Sequence, residues 1–244
     1  MSSTAELLDS ALEGTPHLPE IEVSPPAWAT GSLALVHTWW LERGGTGFPT
    51  AAFLAPASNS TDPIGDGVQA AGKSAGATVI VPTVIPTRED DIASRAIIAT
   101  LANREASAVC HQPVGMPDAS WMHLCTDVRE QSSHLVVHRG EPLALAQTAH
   151  SNTVSFFVGA IAAASSRGIP VLLDSSAALA AALIVDRLSY RAKAWWGWAS
   201  TSPDQARHVA AERLTMDPLL NLGVFDDDVT GARSVIALLN LTVG

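Results

Sequence analysis

Three consecutive aspartates near the carboxyl terminus could supply a catalytic base. Asp226–Asp228 directly precede residues 229–232, where the pattern predicts the start of the last helix. A carboxylate whose pKa is raised by partial burial can take a proton from a substrate. Acidic residues also favour the amino terminus of a helix because they interact with its dipole, and such loops are often simply solvated. The residue types alone leave both interpretations open.

A second segment could bind a phosphate. The residues Ser202–Gln205 read Ser-Pro-Asp-Gln, which predicts a helix amino terminus with Ser202 as its cap and Pro203 at the first helical position. The unpaired N–H groups and the dipole of such a terminus favour an anion. A plain structural cap is the alternative.

Other motifs indicate structure rather than chemistry. The glycine-rich run 44–47 lacks the lysine and the spacing of a phosphate loop, so we expect a turn. Cys110 and the His-Leu-Cys run 123–125 match no zinc spacing, which favours core packing. His134 and His138 lie in a partly extended segment and are expected to be a solvated pair. We therefore predict no metal site and no cofactor.

Composition limits the class of protein. The chain has 244 residues, 47% of them hydrophobic and 16% charged, which excludes a disordered protein. A formal net charge of −10 without a basic cluster argues against nucleic-acid and anionic-membrane partners. Two cysteines cannot form a disulfide framework, and no export or membrane-spanning segment is apparent. We expect a cytoplasmic protein with a loose lead-in at residues 1–30 and a single domain at 31–244.

The elements that must position these residues alternate along the chain. Expected strands cover 50–55, 77–85, 168–174 and 192–199. Expected helices cover 33–42, 66–75, 91–102, 118–131, 153–166, 176–188, 202–213 and 231–241. Continuous apolar strands separated by helices are typical of a parallel sheet covered on both faces. The predicted fold is α/β, with a mostly parallel sheet in a Rossmann-like three-layer arrangement.

A series of segments from residue 66 onward matches one known family in order. The segments are Gly76–Pro82, Gly115–Met122, Ile169–Asp174 with the alanine-rich helix behind it, and Asp217–Gly223 followed by Thr230–Ala232. This order resembles the nicotinate-nucleotide:dimethylbenzimidazole phosphoribosyltransferase family, whereas the first 65 residues match it poorly. The resemblance implies a large α/β domain that acts as a homodimer, or as a heteromer with a homologue.

The resemblance also implies a reaction. The family moves ribose phosphate from nicotinate mononucleotide to a benzimidazole-type base, and the product becomes the lower ligand of cobalamin. The resemblance places the catalytic carboxylate on Asp228, an aspartate where the family has a glutamate. Thr230 and Gly231 persist beside it, and Val229 replaces a family glycine.

Further substrate-binding positions carry over unevenly. A family serine that holds the phosphate falls on Ser202, and Asp174 persists, followed by Ser175 in place of a glycine. A glycine turn keeps Gly115. A glycine-rich loop has become Thr87–Ile92, where three acids would repel a phosphate unless Arg88 turned inward.

These substitutions leave two hypotheses. The first is a transferase of the cobamide lower-ligand pathway, with room for an altered base specificity. The second is a catalytically impaired paralogue that binds a ligand or pairs with an intact transferase. Misplacing a reacting group by about 1 Å can cost on the order of 10²-fold in rate. The substitutions at the family's site positions are therefore expected to affect activity more than the fold.

Overall fold

The computed structural model describes residues 4–21, 27, 29–57, 59–224 and 229–242. The strands are β1 (Ala51–Leu54), β2 (Val79–Pro82), β3 (Val171–Leu173), β4 (Trp196–Ser200) and β5 (Pro218–Leu220). The helices are α1 (Thr4–Glu13), α2 (Ser32–Glu42), α3 (Pro63–Lys73), α4 (Arg88–Ala102), α5 (Asp118–Leu135), α6 (Pro142–Thr148), α7 (Asn152–Ser166), α8 (Ser176–Leu188), α9 (Gln205–Leu214) and α10 (Thr230–Thr242). No helix within these ranges is both long and apolar enough to cross a membrane.

The five strands form one parallel sheet whose spatial order follows the chain, β1-β2-β3-β4-β5. Val171 is paired with Trp196, and Trp198 with Pro218. This confirms the predicted α/β fold. Each connection leads to the neighbouring strand on the same side, and connections between parallel strands are right-handed. The helices in these connections therefore lie on one face of the sheet.

Alternate strand side chains belong to two hydrophobic cores, one on each face of the sheet. Val79 and Val81 of β2 pack in a core with Trp40 of α2 and Val235 of α10. Ile80, between them, belongs to the larger core formed with α4, α7 and α8. Successive side chains of a strand point to opposite faces, so α2 and α10 form one layer and the connecting helices form the other.

Two glycines bring α3 and α7 into backbone contact within the larger core. A Cβ built on Gly67 would lie 2.0 Å from the carbonyl oxygen of Phe156, and one on Gly159 would lie 2.0 Å from that of Ile64. No side chain larger than hydrogen fits at either position. The two helices are therefore locked in a close crossing beneath the sheet.

The amino-terminal segment corrects one expectation. Residues 4–13, predicted to belong to a loose lead-in, form α1, whose Leu8 and Leu12 are buried in the larger core. Their i, i+4 spacing places both side chains on one helix face. The boundary at residue 30 remains a prediction.

Several local predictions need correction, and others are confirmed. Strand β5 was not expected, and only the second half of the predicted strand 192–199 is extended, because Ala192–Trp195 form a 3-10 turn. His134 lies in the last turn of α5 and His138 in a 3-10 turn, so neither is on a strand.

The glycine run ends α2 as predicted, with the N–H of Gly44 donating to the carbonyl of Leu41. The two cysteines are buried in the larger core, as predicted.

Candidate functional site

The carboxyl edge of the sheet gathers most of the predicted site residues. Asp174 follows β3, Ser202 follows β4, and Asn221 begins the segment after β5. Because all strands are parallel, these segments leave the sheet at the same edge. Helices α8, α9 and α10 begin after these strands, so the positive ends of three helix dipoles lie at this edge.

Asp174 joins β3 to the start of α10. Asp174 is 2% exposed; one carboxylate oxygen accepts the N–H of Ala232 at 2.9 Å, and the other lies 4.0 Å from a guanidinium nitrogen of Arg207. Gly231 packs directly against it, since a Cβ built there would lie 2.6 Å from Asp174 Oδ1 and 2.7 Å from Ser200 Cβ. The structure therefore brings together two predicted site residues, Asp174 and Gly231, and fixes the amino end of α10 between β3 and β4.

The residues that lead into α10 are only partly described. Thr230 is the first residue of the helix and is half-buried, and the N–H of Arg233 donates to the carbonyl of Val229 at 2.9 Å. Val229 is fully buried with φ at 51°, a left-handed conformation that strains a β-branched residue and that a glycine would adopt freely. Asp228, the predicted base, lies outside the described residues, one peptide bond before Val229.

Ser202 does not cap α9, which corrects the capping prediction. The helix begins at Gln205, and its cap is Asp204, whose carboxylate accepts the N–H of Ala206 at 3.1 Å. Ser202 is 2% exposed, its hydroxyl accepts the N–H of Asp204 at 3.2 Å, and its carbonyl accepts a hydrogen bond from His208. Asp204 displaces serine as the cap because two further partners hold its carboxylate in place.

Those partners form a buried network that the sequence did not reveal. Arg95 of α4 donates to Asp204 at 2.8 and 3.3 Å, to Asp91 at 2.9 Å and to the carbonyl of Val109 at 2.5 Å. Ser176, at the start of α8, donates to the same Asp204 carboxylate at 2.6 Å. The loop that carries Ser202 is thus held by groups from α4 and α8.

Burial and charge act in opposite directions on this pair. Burial alone would raise the pKa of the Asp204 carboxyl, but Arg95 and the hydrogen bond from Ser176 bring that pKa below its ordinary value. Burial alone would lower the pKa of Arg95, but Asp204 and Asp91 raise it above the ordinary value. Both groups are therefore charged at neutral pH.

Three other predicted residues have clear places but different surroundings. Ser175 caps α8, its buried hydroxyl accepting the N–H of Ala178 at 3.1 Å. Gly115 lies in the loop before α5 with φ at 89° and nothing within 4 Å of a Cβ built on it. Arg88 does not turn inward, since its exposed guanidinium donates to Asp127 of α5 at 2.6 Å.

Two of the three acids beside Arg88 are engaged within the protein. Asp90 completes a capping box with Thr87 at the start of α4 and accepts the hydroxyl of Ser151 at 2.6 Å. Asp91 pairs with Arg95. Asp90 and Asp91 therefore stabilise α4 and its neighbours. Across the described ranges, no group of three or more His, Cys, Asp or Glu side chains is placed to hold a metal ion.

The comparison with protein families decides the assignment. A family model described as phosphoribosyltransferase (DBI_PRT) matches residues 66–244, which include β2 to β5 and all the predicted site residues. The chain belongs to this phosphoribosyltransferase family. The predicted family membership is therefore confirmed.

Individual members of the family match only part of their own length. The nicotinate-nucleotide–dimethylbenzimidazole phosphoribosyltransferase of Corynebacterium glutamicum (strain R) is 27% identical over 169 residues, which are 69% of this chain and 47% of that protein. The protein of the same name from Mycobacterium leprae (strain Br4923) is 32% identical over 153 residues, 62% of this chain and 43% of that protein. This member of the phosphoribosyltransferase family therefore spans less than half the length of these relatives.

Solved structures agree on the fold of this phosphoribosyltransferase family member. The crystal structure of a nicotinate-nucleotide–dimethylbenzimidazole phosphoribosyltransferase from Thermus thermophilus superposes with a TM-score of 0.70 at 14% identity, covering 98% of this chain and 94% of that one. A crystal structure of CobT from the same organism gives a TM-score of 0.71. The likeness includes the amino-terminal part that the family model leaves unmatched.

Proposed function

We propose that this protein transfers ribose phosphate from nicotinate mononucleotide to an azole base, a reaction of cobamide lower-ligand synthesis. The observation that carries the proposal is the close packing of Gly231 on Asp174, which fixes the start of α10 at the carboxyl edge of the sheet. The acidic segment directly before α10 is the one that resembles the catalytic loop of the family. The relatives described above are named for the same reaction, which also supports the proposal.

The proposed chemistry is a displacement at the anomeric carbon. One ring nitrogen of the azole attacks that carbon while the bond to the nicotinate nitrogen breaks, and nicotinate leaves with the electron pair. Asp228 accepts the proton from the other ring nitrogen, so the product leaves as a neutral substituted azole. Thr230 and Gly231, at the positive end of the α10 dipole, would lie against the ribose phosphate.

On the neighbouring loop, Ser202 is the residue proposed to donate a hydrogen bond to the substrate phosphate. Its oxygen accepts the N–H of Asp204, and a hydroxyl can donate its own proton while it accepts. The loop is held by the network of Arg95, Asp204 and Ser176, so the donor would be positioned before the substrate arrives.

A second function, that of a binding or regulatory partner for an intact transferase, is favoured by the present surroundings of the predicted phosphate ligands. Ser175 and Ser202 are each 2% exposed, and the guanidinium of Arg88 is paired with Asp127. In this case a homologous chain would complete the site, or this protein would regulate the homologous chain.

One assay separates the two functions. The purified protein is incubated with nicotinate mononucleotide and dimethylbenzimidazole, and the release of nicotinate and the formation of α-ribazole phosphate are followed by chromatography and mass spectrometry. We expect turnover, and we expect Asp228→Asn to reduce it by about 10²-fold or more because the base is lost. Asp226→Asn is the matched control, since it removes the same charge two residues away.

The same assay is repeated with a full-length homologue present. Turnover by the chain alone supports the transferase. A change in the homologue's rate together with a mixed complex in light scattering, without turnover by the chain alone, supports the regulatory partner. If Asp226→Asn and Asp228→Asn lose activity equally, Asp228 is not the base.

A further inference from the structure

A cavity of about 480 Å³ lies at the opposite edge of the sheet from the site described above. Trp196, the first residue of β4, and Asp217, which directly precedes β5, are among its lining residues. Ser200, at the other end of β4, is about 13 Å away at the usual rise per residue of a strand. The cavity is therefore separate from the carboxyl edge, and its use does not depend on the proposed transferase activity.

Aromatic side chains form much of the cavity wall. Trp39, Trp196 and Trp198 all line it. Trp39 is fixed by a hydrogen bond from its Nε1 to the carbonyl of Trp196 at 3.1 Å, and it lies over Gly197, where a Cβ would be 2.7 Å from the indole. These rings are only 2–6% exposed and are held in place, so the parts of them that reach the cavity form a rigid aromatic wall against which a flat ring can pack.

Cationic side chains line the same cavity. Arg43 stacks on the Trp39 ring at 5.1 Å from its centroid, and Arg191 and Lys193 contribute two more positive charges. One carboxylate, that of Asp217, also lines the cavity. Arg43 is also paired with Glu42 at 3.4 Å, so three cations against two acids leave the concavity with a net positive charge, in a protein whose formal net charge is −10.

The charges and donors of this cavity are incompletely matched by the protein itself. Arg191 and Lys193 form no ion pair with any described residue, and Lys193 reaches only the hydroxyl of Thr215 at 3.4 Å. Two buried donors of lining residues, Nε of Arg43 and Nε1 of Trp198, have no hydrogen-bond partner in the described part of the chain. Burial lowers the pKa of Arg43 to about 10, despite the opposing effect of Glu42, so it is still charged at neutral pH.

We propose that this cavity is a binding site for a small aromatic carboxylate. Its volume falls within the range of about 300–1,000 Å³ that is typical of ligand pockets. The accessible parts of the indoles would pack against the aromatic ring, and the guanidinium and ammonium groups would bind the carboxylate. An uncharged ring would lose the ionic contacts, and a saturated acid would lose the aromatic contacts.

The test is calorimetry on the full chain with benzoate as the probe, alongside benzamide and cyclohexanecarboxylate. We expect benzoate to bind at least about tenfold more tightly than either of the other two. The variant Arg191→Ala/Lys193→Ala should weaken benzoate binding by at least about tenfold. Arg191 is exposed and Lys193 is half-exposed, so the variant should fold normally, which circular dichroism checks.

The variant Lys73→Ala/Arg129→Ala is the matched control, because it removes two exposed cations from elsewhere on the surface. It should leave the affinity for benzoate unchanged. The proposal is overturned if benzoate gives no binding at about 10 mM, or if benzamide binds equally well. It is also overturned if the two double variants weaken binding to the same extent, since only the net charge would then matter.

Discussion

The guanidinium of Arg95 and the carboxylate of Asp204 meet inside the protein, although 109 positions separate them in the chain. The pair is more than nine-tenths buried on both sides and joins α4 to the first turn of α9. It thereby fixes the loop after β4. This loop carries Ser202, the residue proposed to donate a hydrogen bond to the phosphate.

Replacement of Arg95 by methionine should destabilise the protein strongly. The variant keeps most of the side-chain volume but leaves the Asp204 carboxylate buried without its cation, which typically costs about 3–5 kcal/mol. Urea unfolding followed by tryptophan fluorescence measures the change. Arg104→Met is the control, because the Arg104–Glu212 pair is exposed and should contribute only about 0–1 kcal/mol. Similar losses in both variants would contradict the importance of the buried pair.

The same pair predicts a specific loss of stability in acid. Because the pKa of Asp204 is lower in the folded protein than its ordinary value of 3.8, the folded state binds fewer protons there than the unfolded state. The stabilisation is therefore complete above that value and is lost as the pH falls through the lower, folded pKa.

Asp204→Asn isolates this contribution from that of the other carboxylates. Below pH 3.8, the free energy of unfolding of the natural protein should fall more steeply than that of the variant. Denaturant titrations from neutral pH into this range measure both slopes. Parallel curves would show that Asp204 does not titrate differently on folding.

Replacement of Gly231 by alanine should disturb the carboxyl edge directly. The added methyl group would collide with Asp174 and Ser200, and overpacking of this kind costs about 1–3 kcal/mol. The start of α10 would have to move, so the transferase activity proposed above should fall as well. Gly140→Ala is the control, since nothing lies within 4 Å of a Cβ at that exposed position. Unchanged unfolding and turnover in the Gly231 variant would show that the contact is not constraining.

The two cysteines should be protected from thiol reagents in the folded protein. Burial and the neighbouring Cys125 raise the pKa of the Cys110 thiol to about 12, so little thiolate is present at pH 8. Ellman's reagent should detect both thiols only after denaturation. Ser133→Cys introduces an exposed thiol on α5 as a positive control. Rapid reaction of two thiols in the native natural protein would mean that the region around Cys110 opens readily.

Periodicity was sufficient to predict the fold class, and the elements it missed are either very short or set in an atypical sequence. Helix α8 was predicted with its observed bounds because the apolar strand before it and the alanine-rich run are both continuous. Strand β5 has three residues and begins with Pro218, so it carries almost no alternating pattern. The signal for α1 was present in the spacing of Leu8 and Leu12 but was outweighed by the polar, proline-containing sequence around it.

The site was less predictable because its side chains are held by residues far away in the sequence. Ser202 and Asp204 are equally good caps by type, and only the distant Arg95 and Ser176 favour Asp204. Arg88 could pair outward because Asp127, 39 positions later, lies on the adjacent helix. Asp174 and Gly231 were singled out by family resemblance, and their contact requires three-dimensional packing that no local pattern encodes.

The position of α10 affects how the chain can acquire its structure during synthesis. Among the described helices, α2 and α10 alone cover one side of the sheet; α2 is made early, and α10 is made after every strand. Val81 and Leu172 therefore have an incomplete apolar cover on the ribosome until α10 emerges. At that stage the nascent chain would expose an apolar surface that is prone to aggregation. Docking of α10 then completes this layer and the proposed catalytic edge in a single late event.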